Sequence, residues 1–235
     1  MKINKIAVLI AIMALTACAS IPRETIILSQ ALGHDLQALH ESHRNCMEVY
    51  YRNIKGSINS FIDDVYAPFI IHNTLNKELE NYKKGGSSFY KAIESAGQKG
   101  AKKDSDDVLN SMFDFLAGTR DQIEKKRNEY LFPVLKQENE LILSVDQAYE
   151  KAIQANSSIT ASLLSANKAK ENQLVSLPGI GITGADTLTT NSLVRLSQWL
   201  EVAVEEGKKI DIKSDDAYKQ VEAISKRIKQ LTTQY

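Results

Sequence analysis

The stretch HRNCMEVYYRNIKGSINSFIDDV, residues 43–65, decides the fold class. Its apolar and semi-polar residues recur in steps of three and four, at His43, Cys46, Tyr50, Ile54, Ile58, Phe61 and Val65. This spacing places them on one side of an α-helix. The pattern continues towards the N-terminus through Leu39, Leu36 and Leu32. We therefore expect one amphipathic helix over residues 22–66, and its weakest positions are the helix-disfavouring residues Gly33 and Gly56.

Pro68 is the first strong helix-breaking residue after this stretch. Proline disfavours helical geometry at the residue before it, so we expect the helix to kink or restart at Ala67 and to continue to Lys84. Glycine, serine and lysine dominate residues 85–104. We interpret this segment as a loop with one short helical turn at residues 90–93.

A second long helix is predicted to begin at Ser105-Asp106-Asp107, where a capping residue and two carboxylates favour a helix N-terminus. Its apolar positions are Leu109, Met112, Leu116, Ile123, Tyr130, Val134, Leu141, Val145, Tyr149 and Ile153. The pattern extends past Leu163 towards Gln173, and Pro133 should bend the helix. Two shorter helices are expected at residues 188–206 and 214–232, each with an apolar stripe.

These patterns predict an all-α protein, since no strand pattern competes with them. The two long amphipathic helices would form an elongated antiparallel hairpin, completed by the two shorter C-terminal helices. A compact bundle with broken helices is the alternative. We expect residues 25–235 to form a single helical-bundle domain.

Near the N-terminus, a short apolar run leads into the tetrapeptide Leu15-Thr16-Ala17-Cys18. Lys2 and Lys5 precede this run, which is the order found in secretory signal peptides. The run from Ile6 to Leu15 is about half of the roughly 20 residues that a membrane-spanning helix needs. We therefore expect residues 1–17 to be a signal peptide.

The tetrapeptide ending in Cys18 resembles the lipobox of bacterial lipoproteins, and the resemblance covers residues 1–18 only. It implies a thioether-linked diacylglycerol on Cys18, cleavage after Ala17, and further acylation such as palmitate on the new amino terminus. Residues 18–24 would then be a lipidated tether. An ordinary signal peptide that ends in cysteine and an uncleaved anchor are the alternatives.

The residues after Cys18 bear on the destination of the protein. Ala19 and Ser20 follow, without the aspartate that, in lipoproteins of bacteria with two membranes, commonly signals retention at the inner membrane. The resemblance thus implies the outer membrane, with the helical body facing the periplasm. In a host with one membrane, the protein would lie on its outer face.

Charge and motifs exclude several function classes. The chain has 29 basic and 29 acidic residues, and loss of residues 1–17 removes Lys2 and Lys5, which leaves 27 against 29, a formal charge of −2. The basic residues are dispersed, which argues against nucleic acid. There is no G-x-S-x-G, Walker A or paired-cysteine zinc motif. We therefore predict no enzyme, no cofactor and no small-molecule substrate.

Five residues with metal-binding or nucleophilic side chains cluster in the first helix: His34, His40, Glu41, His43 and Cys46. Residues three or four apart share a helix face, so His40 and His43 could contact one ligand or metal ion. Further metal ligands would have to come from another helix. We interpret these histidines as half-buried side chains of a helix seam and assign no metal. Cys46 is expected to be buried there, and an intermolecular disulfide is the alternative.

Residues 179–184, GIGITG, match the dinucleotide-binding pattern G-x-G-x-x-G. That motif requires a strand before it and a βαβ unit around it, and the sequence predicts neither. We interpret the segment as a tucked-in connecting loop. Contact with a partner or a membrane is the alternative, because the loop is unusually apolar.

These observations predict a membrane-anchored envelope lipoprotein with a structural or protein-interaction role and an envelope protein as its partner. The alternative is a ligand- or metal-binding helical module that uses His40 and His43. Cys18 is the one residue to which the sequence assigns a chemical role, that of lipid attachment.

Overall fold

The computed structural model describes residues 22–168 and 187–233. Cys18 and the loop at residues 179–184 lie outside them. The described part is all-α, with no strand. The helices are α1 (Arg23–Phe61), α2 (Ala67–Lys83), α3 (Phe89–Lys99), α4 (Lys102–Lys168), α5 (Thr187–Lys208) and α6 (Ala217–Thr233). The predicted fold class, with long helices and two shorter C-terminal helices, is confirmed.

Between α1 and α2 the chain forms a π-helical turn, Ile62–Tyr66. Here the N–H of Ala67 donates to the carbonyl of Ile62, five residues earlier. The turn lies directly before Pro68, which occupies the first turn of α2, where its missing N–H costs no intrahelical bond. The chain stays helical through Pro68, because Tyr66 and Ala67 keep right-handed helical angles, so the kink or restart expected at Ala67 takes the form of this π-helical turn. Neither Gly33 nor Gly56 breaks α1.

The expectation of a loop at residues 85–104 is wrong, because α3 occupies 11 residues of it. The side chain of Ser88 caps α3 by accepting a hydrogen bond from the N–H of Lys91 at 3.2 Å. The helix ends at Gly100, whose φ of 65° is the left-handed conformation that glycine adopts without strain. The capping serine and the terminal glycine are both visible in the sequence. The other glycines and the lysines of the segment nevertheless favoured a loop.

Helix α4 is 67 residues long and continues through Pro133. It begins at Lys102, and Asp104 supplies the carboxylate of its first turn. The start predicted at Ser105 was therefore one turn too late. The predicted C-terminal helices are confirmed as α5 and α6, within a few residues of the expected ends.

The described chain divides into two compact units. The first consists of residues 22–45 and 143–168, which are parts of α1 and α4. Their pairing is antiparallel, as predicted, since Ser29 contacts Asn156 and His40 contacts Asp146. Only a few of its side chains are buried, among them Ile26, Val145 and Ala152.

The second unit consists of residues 46–142 and 187–233, and it contains a continuous apolar core. The α1 and α4 segments are again antiparallel, because Lys55 bonds to Glu138 and Asn59 bonds to Arg127. The fully enclosed core side chains are Ile54, Ile58, Phe61, Ile62, Tyr130, Val134, Leu200 and Ile228. The C-terminal helices complete this core.

Gly207 provides a test of how tightly α5 packs on the π-helical turn. A Cβ atom at Gly207 would lie 2.7 Å from Cγ2 of Val65, a stiff, buried side chain. We expect Gly207→Ala to destabilise the second unit by about 1–3 kcal/mol through overpacking. Gly56→Ala is the matched control, since a Cβ there meets nothing within 4 Å and should stabilise α1 by roughly 0.5–1 kcal/mol.

The measurement is urea unfolding followed by circular dichroism. Equal midpoints for Gly207→Ala and the unchanged protein would show that α5 does not approach Val65 closely.

Candidate functional site

Over residues 23–47, the side of α1 that faces α4 is shifted from the predicted seam. Leu32 and Leu39 are each 51% exposed, and Cys46 is exposed, so their predicted burial is wrong. The buried or half-buried positions there are Ile26, Ser29, Gly33, Leu36, His40 and Met47. Of these, Leu36 and His40 agree with the prediction. Small and polar residues occupy part of this seam, so a search for apolar periodicity selects the neighbouring residues instead.

His40 forms the central polar contact of the first unit. Its Nε2 lies 2.6 Å from Oδ1 of Asp146 on α4. Arg44, one turn along α1, donates from Nη1 to the other carboxylate oxygen at 3.3 Å. A carboxylate shared by two such donors links the helices by charge-assisted hydrogen bonds, because the acceptor carries the charge. Nothing in the sequence had singled out Asp146.

His43 and Tyr149 form the second part of this cluster. The Tyr149 hydroxyl lies 2.8 Å from Nδ1 of His43. The Tyr149 ring stacks on His40, with ring centroids 5.0 Å apart, and meets His43 edge-on at 5.7 Å. One tyrosine thus holds both histidines against α4. Tyr149 was predicted as an apolar seam residue, and its half-buried position agrees with that prediction.

The contacts of His40 and His43 with Asp146 and Tyr149 join α1 to α4. His34 and His43 are exposed, so the predicted half-burial of the histidines is correct for His40 and wrong for the other two. Glu41 is exposed as well, and the structure does not bring it or His34 together with His40 and His43. Within residues 22–168 and 187–233, no group of three or more histidine, cysteine or acidic side chains could hold a metal ion. His40 and His43 each use one ring nitrogen to contact α4.

Further along the first unit, a buried amide joins the two helices. Asn156 donates from Nδ2 to the carbonyl of Ser29 at 2.8 Å and accepts from the Ser29 hydroxyl at 3.3 Å. The Ser29 hydroxyl also lies 2.7 Å from the Thr160 hydroxyl. A Cβ atom at Gly33 would be 2.9 Å from this amide nitrogen, so glycine allows the close approach. Apolar periodicity gives no sign of this network, because its members are small or polar.

In the second unit, a carboxylate on α4 joins α6 to the core. Glu129 accepts from Nζ of Lys126 at 2.8 Å, and Nζ of Lys229 on α6 lies 2.6 Å from its other oxygen. The hydrogen bonds from Lys126 and Lys229 lower the pKa of Glu129 from its usual value of 4.5. The ionised form of Glu129 is therefore favoured in the folded state.

An open cleft of about 1060 Å³ lies between α2, α3 and the first third of α4. Phe89 and Phe115 stack beside it with centroids 6.1 Å apart, and the buried Thr119 hydroxyl has no hydrogen-bond partner in the described chain. The charged lining residues are Glu78, Lys91, Lys99, Lys103, Asp104, Asp107 and Asp114. Because the lining carries both carboxylates and lysines in similar numbers, its charge selects no single class of ligand.

Asn156 provides a test of the polar seam. Removing its amide removes both hydrogen bonds that Asn156 makes with Ser29 in the buried seam, so we expect Asn156→Ala to cost about 1–3 kcal/mol. The readout is native-state hydrogen exchange of the amides at residues 26–40, which reports the first unit separately. Asn139→Ala, at an exposed position of the same helix, is the matched control. Equal protection in both variants would contradict the seam.

Glu129 provides a test by pH. Because its pKa is lowered on folding, its contribution to stability is present above pH 4.5 and is lost as the pH falls through the folded-state pKa. Glu129→Gln lacks this contribution at every pH. We therefore expect the difference in urea midpoint between the unchanged protein and Glu129→Gln to shrink from pH 7 to about pH 3.

Glu140→Gln is the control for that experiment. Glu140 is 66% exposed and lies 3.8 Å from Lys136, and an ion pair of this kind contributes little to stability. Its urea midpoint should stay close to that of the unchanged protein at both pH values. A constant difference for Glu129→Gln would contradict the role of the two lysines.

No helix within residues 22–168 and 187–233 combines the length and the apolar character needed to cross a bilayer. Comparisons with protein-family models, curated proteins and solved structures found no match to this chain. The function of the protein therefore has to be inferred from its own residues and from the geometry of the two units.

Proposed function

We propose that this chain is a lipid-anchored lipoprotein of the bacterial envelope whose helical body binds another envelope protein. Acyl chains on Cys18 would hold it to the membrane, in a diderm host to the periplasmic face of the outer membrane. Two or three such chains give stable attachment where one gives only reversible binding. The proposal rests on the lipobox at residues 15–18 together with exposed apolar side chains on the first unit.

The start of α1 is compatible with a short tether. Helix α1 begins at Arg23, five residues after Cys18. Even a fully extended chain spans at most about 3.6 Å per residue, so the beginning of α1 would lie within about 18 Å of the acylated residue. The first unit is therefore the part of the protein closest to the anchor along the chain.

The exposed apolar residues are the observation that carries the interaction role. On α1 the side chains of Ile27, Leu28, Leu32 and Leu39 are each more than half exposed. Leu28, Leu32 and Leu39 are spaced by four and seven residues and thus share one side of the helix. Contiguous exposed apolar surface is typical of protein interfaces.

The alternative function, a ligand- or metal-binding module using His40 and His43, remains a prediction. Nε2 of His40 and Nδ1 of His43 already contact Asp146 and Tyr149. The structure adds no observation in its favour.

Anchoring is tested by substituting each cysteine separately. We expect Cys18→Ala to lose labelling by radioactive palmitate and to leave the membrane fraction, because it removes the acylated sulfur. Cys46→Ala is the matched control and should keep both properties, since Cys46 lies in α1 and not in the lipobox. Unchanged labelling of Cys18→Ala would overturn the anchoring proposal.

The interaction role is tested by photo-cross-linking in the native cell. A photoreactive residue at Leu28 or Leu32 should cross-link to one identified envelope protein. Gln30, which is exposed about 200° around the same helix, is the matched control and should not. Equal cross-linking from all three positions would contradict a specific interface on the apolar side.

A further inference from the structure

The first third of α4 carries a second exposed apolar face, which lies within the second unit. It consists of Leu109, Met112, Phe113 and Leu116, and these side chains are 53%, 42%, 67% and 56% exposed. Their spacing of three, four and seven residues forms one stripe on an α-helix. All but Phe113 were predicted to be buried in the helix seam, and that prediction is wrong.

The orientation of this part of α4 explains the exposure. Its other side, with Asp107, Ser111, Asp114 and Gly118, lines the polar cleft beside α3. At about 100° per residue, that side is almost opposite the apolar face. The helix thus directs polar residues towards its own unit and apolar residues outwards, which is the reverse of the usual arrangement.

The apolar face is self-complementary. Leu109 and Leu116 lie on its midline, at equal distances before and after the midpoint between Met112 and Phe113. Met112 and Phe113 lie about 50° to either side of the midline. Two copies related by a two-fold axis through this midpoint would therefore pack Leu109 of one copy on Leu116 of the other. Phe113 would meet Phe113, and Met112 would meet Met112.

The charges along the Phe113 edge favour the antiparallel direction. Asp106 lies about 10 Å before the midpoint and Arg120 about 11 Å after it, both on that edge. In an antiparallel pair, Asp106 of each copy therefore comes level with Arg120 of the other. Lys102 and Glu124 repeat this relation one turn further out. In a parallel two-fold pair, the Phe113 edge would instead face the Met112 edge of the other copy, where Ser105 and Thr119 carry no charge, so neither pairing would form.

We propose that the face formed by Leu109, Met112, Phe113 and Leu116 binds a second copy of this chain, as an antiparallel two-fold pair of α4 helices. The occupant follows from the symmetric placement of the apolar residues and from the complementary charges beside them. The pairing does not rest on the proposed function, because it involves neither Cys18 nor the apolar side of α1.

Cysteine cross-linking of the full-length protein tests both the occupant and its direction. In a Cys46→Ser background, Phe113→Cys should form a disulfide dimer on mild oxidation, since the two-fold axis passes beside this residue. Leu116→Cys alone should not, because its two copies would be about 10 Å apart along the axis. Leu109→Cys and Leu116→Cys, co-expressed with different tags, should cross-link to each other.

Phe132→Cys is the matched control. Phe132 is also on α4 and is 71% exposed, but it lies outside the face. We expect Phe113→Cys to cross-link at least about tenfold faster than Phe132→Cys. The Cys46→Ser protein without an added cysteine should give no dimer.

The charges are tested by sedimentation of the detergent-solubilised protein. Asp106→Arg and Arg120→Asp should each weaken dimerisation by about threefold to tenfold, because each substitution brings like charges together at two symmetric places. The double variant should recover, since it exchanges the two charges and restores opposite signs. Phe113→Asp should give a monomer, whereas Phe132→Asp should not.

Three results would overturn the proposal. The unchanged protein could sediment as a monomer, Leu116→Cys could cross-link to itself as fast as Phe113→Cys, or Phe113→Cys could cross-link to a different protein. The first excludes a second copy, the second requires a parallel pair, and the third identifies another occupant. Cys18→Ala should retain the dimer, so failure of the anchoring proposal remains distinguishable from failure of this one.

Discussion

The packing of the second unit depends on the buried side chain of Tyr130. Its ring packs against Phe61 of α1 with centroids 6.5 Å apart, and its hydroxyl donates to the carbonyl of Ser225 on α6 at 3.0 Å. A buried hydroxyl without a partner is costly, so α6 has to place a carbonyl at that position. Burial accordingly raises the pKa of Tyr130. Lys126 lies 5.5 Å above the ring and also bonds to Glu129. Because Glu129 contacts Lys229 of α6 as well, the same turn of α4 makes a second contact with α6.

Each unit is stabilised internally by a different kind of contact. In the second unit, helices α1, α4, α5 and α6 bury a common apolar core, and burial of such surface is the main source of stability in folded proteins. The first unit consists of one helix pair whose seam includes Ser29, His40 and Asn156. Each hydrogen bond there contributes only about 1 kcal/mol, because it replaces a bond to water. We therefore expect the first unit to open at lower free energy than the second.

The sequence predicted the helices well and their orientation only in part. From Ile54 to Val65 the apolar stripe coincides with the buried side of α1 and of the π-helical turn, because this segment packs against an apolar core. Further towards the N-terminus, the seam consists of residues such as Gly33 and His40, which hydropathy does not detect. The contact of His40 with Asp146 joins positions 106 residues apart, and no spacing rule connects such positions. Cys18, by contrast, could be assigned from local sequence alone, and its acylation is a proposal that does not depend on the fold.

In the exposed face on α4, the apolar residues supply the binding surface and the charged residues at its edge set the direction of the partner helix. Leu109, Met112, Phe113 and Leu116 supply the surface, but they are compatible with either direction of a partner helix, because their arrangement has no polarity of its own. Direction has to come from residues at the edge. Asp106 and Arg120 supply it, since only the antiparallel pair brings opposite charges level. Exposed ion pairs of this kind add little affinity. Because only the antiparallel pair gains them, they select the direction, so in this face the specificity and the binding energy reside in different residues.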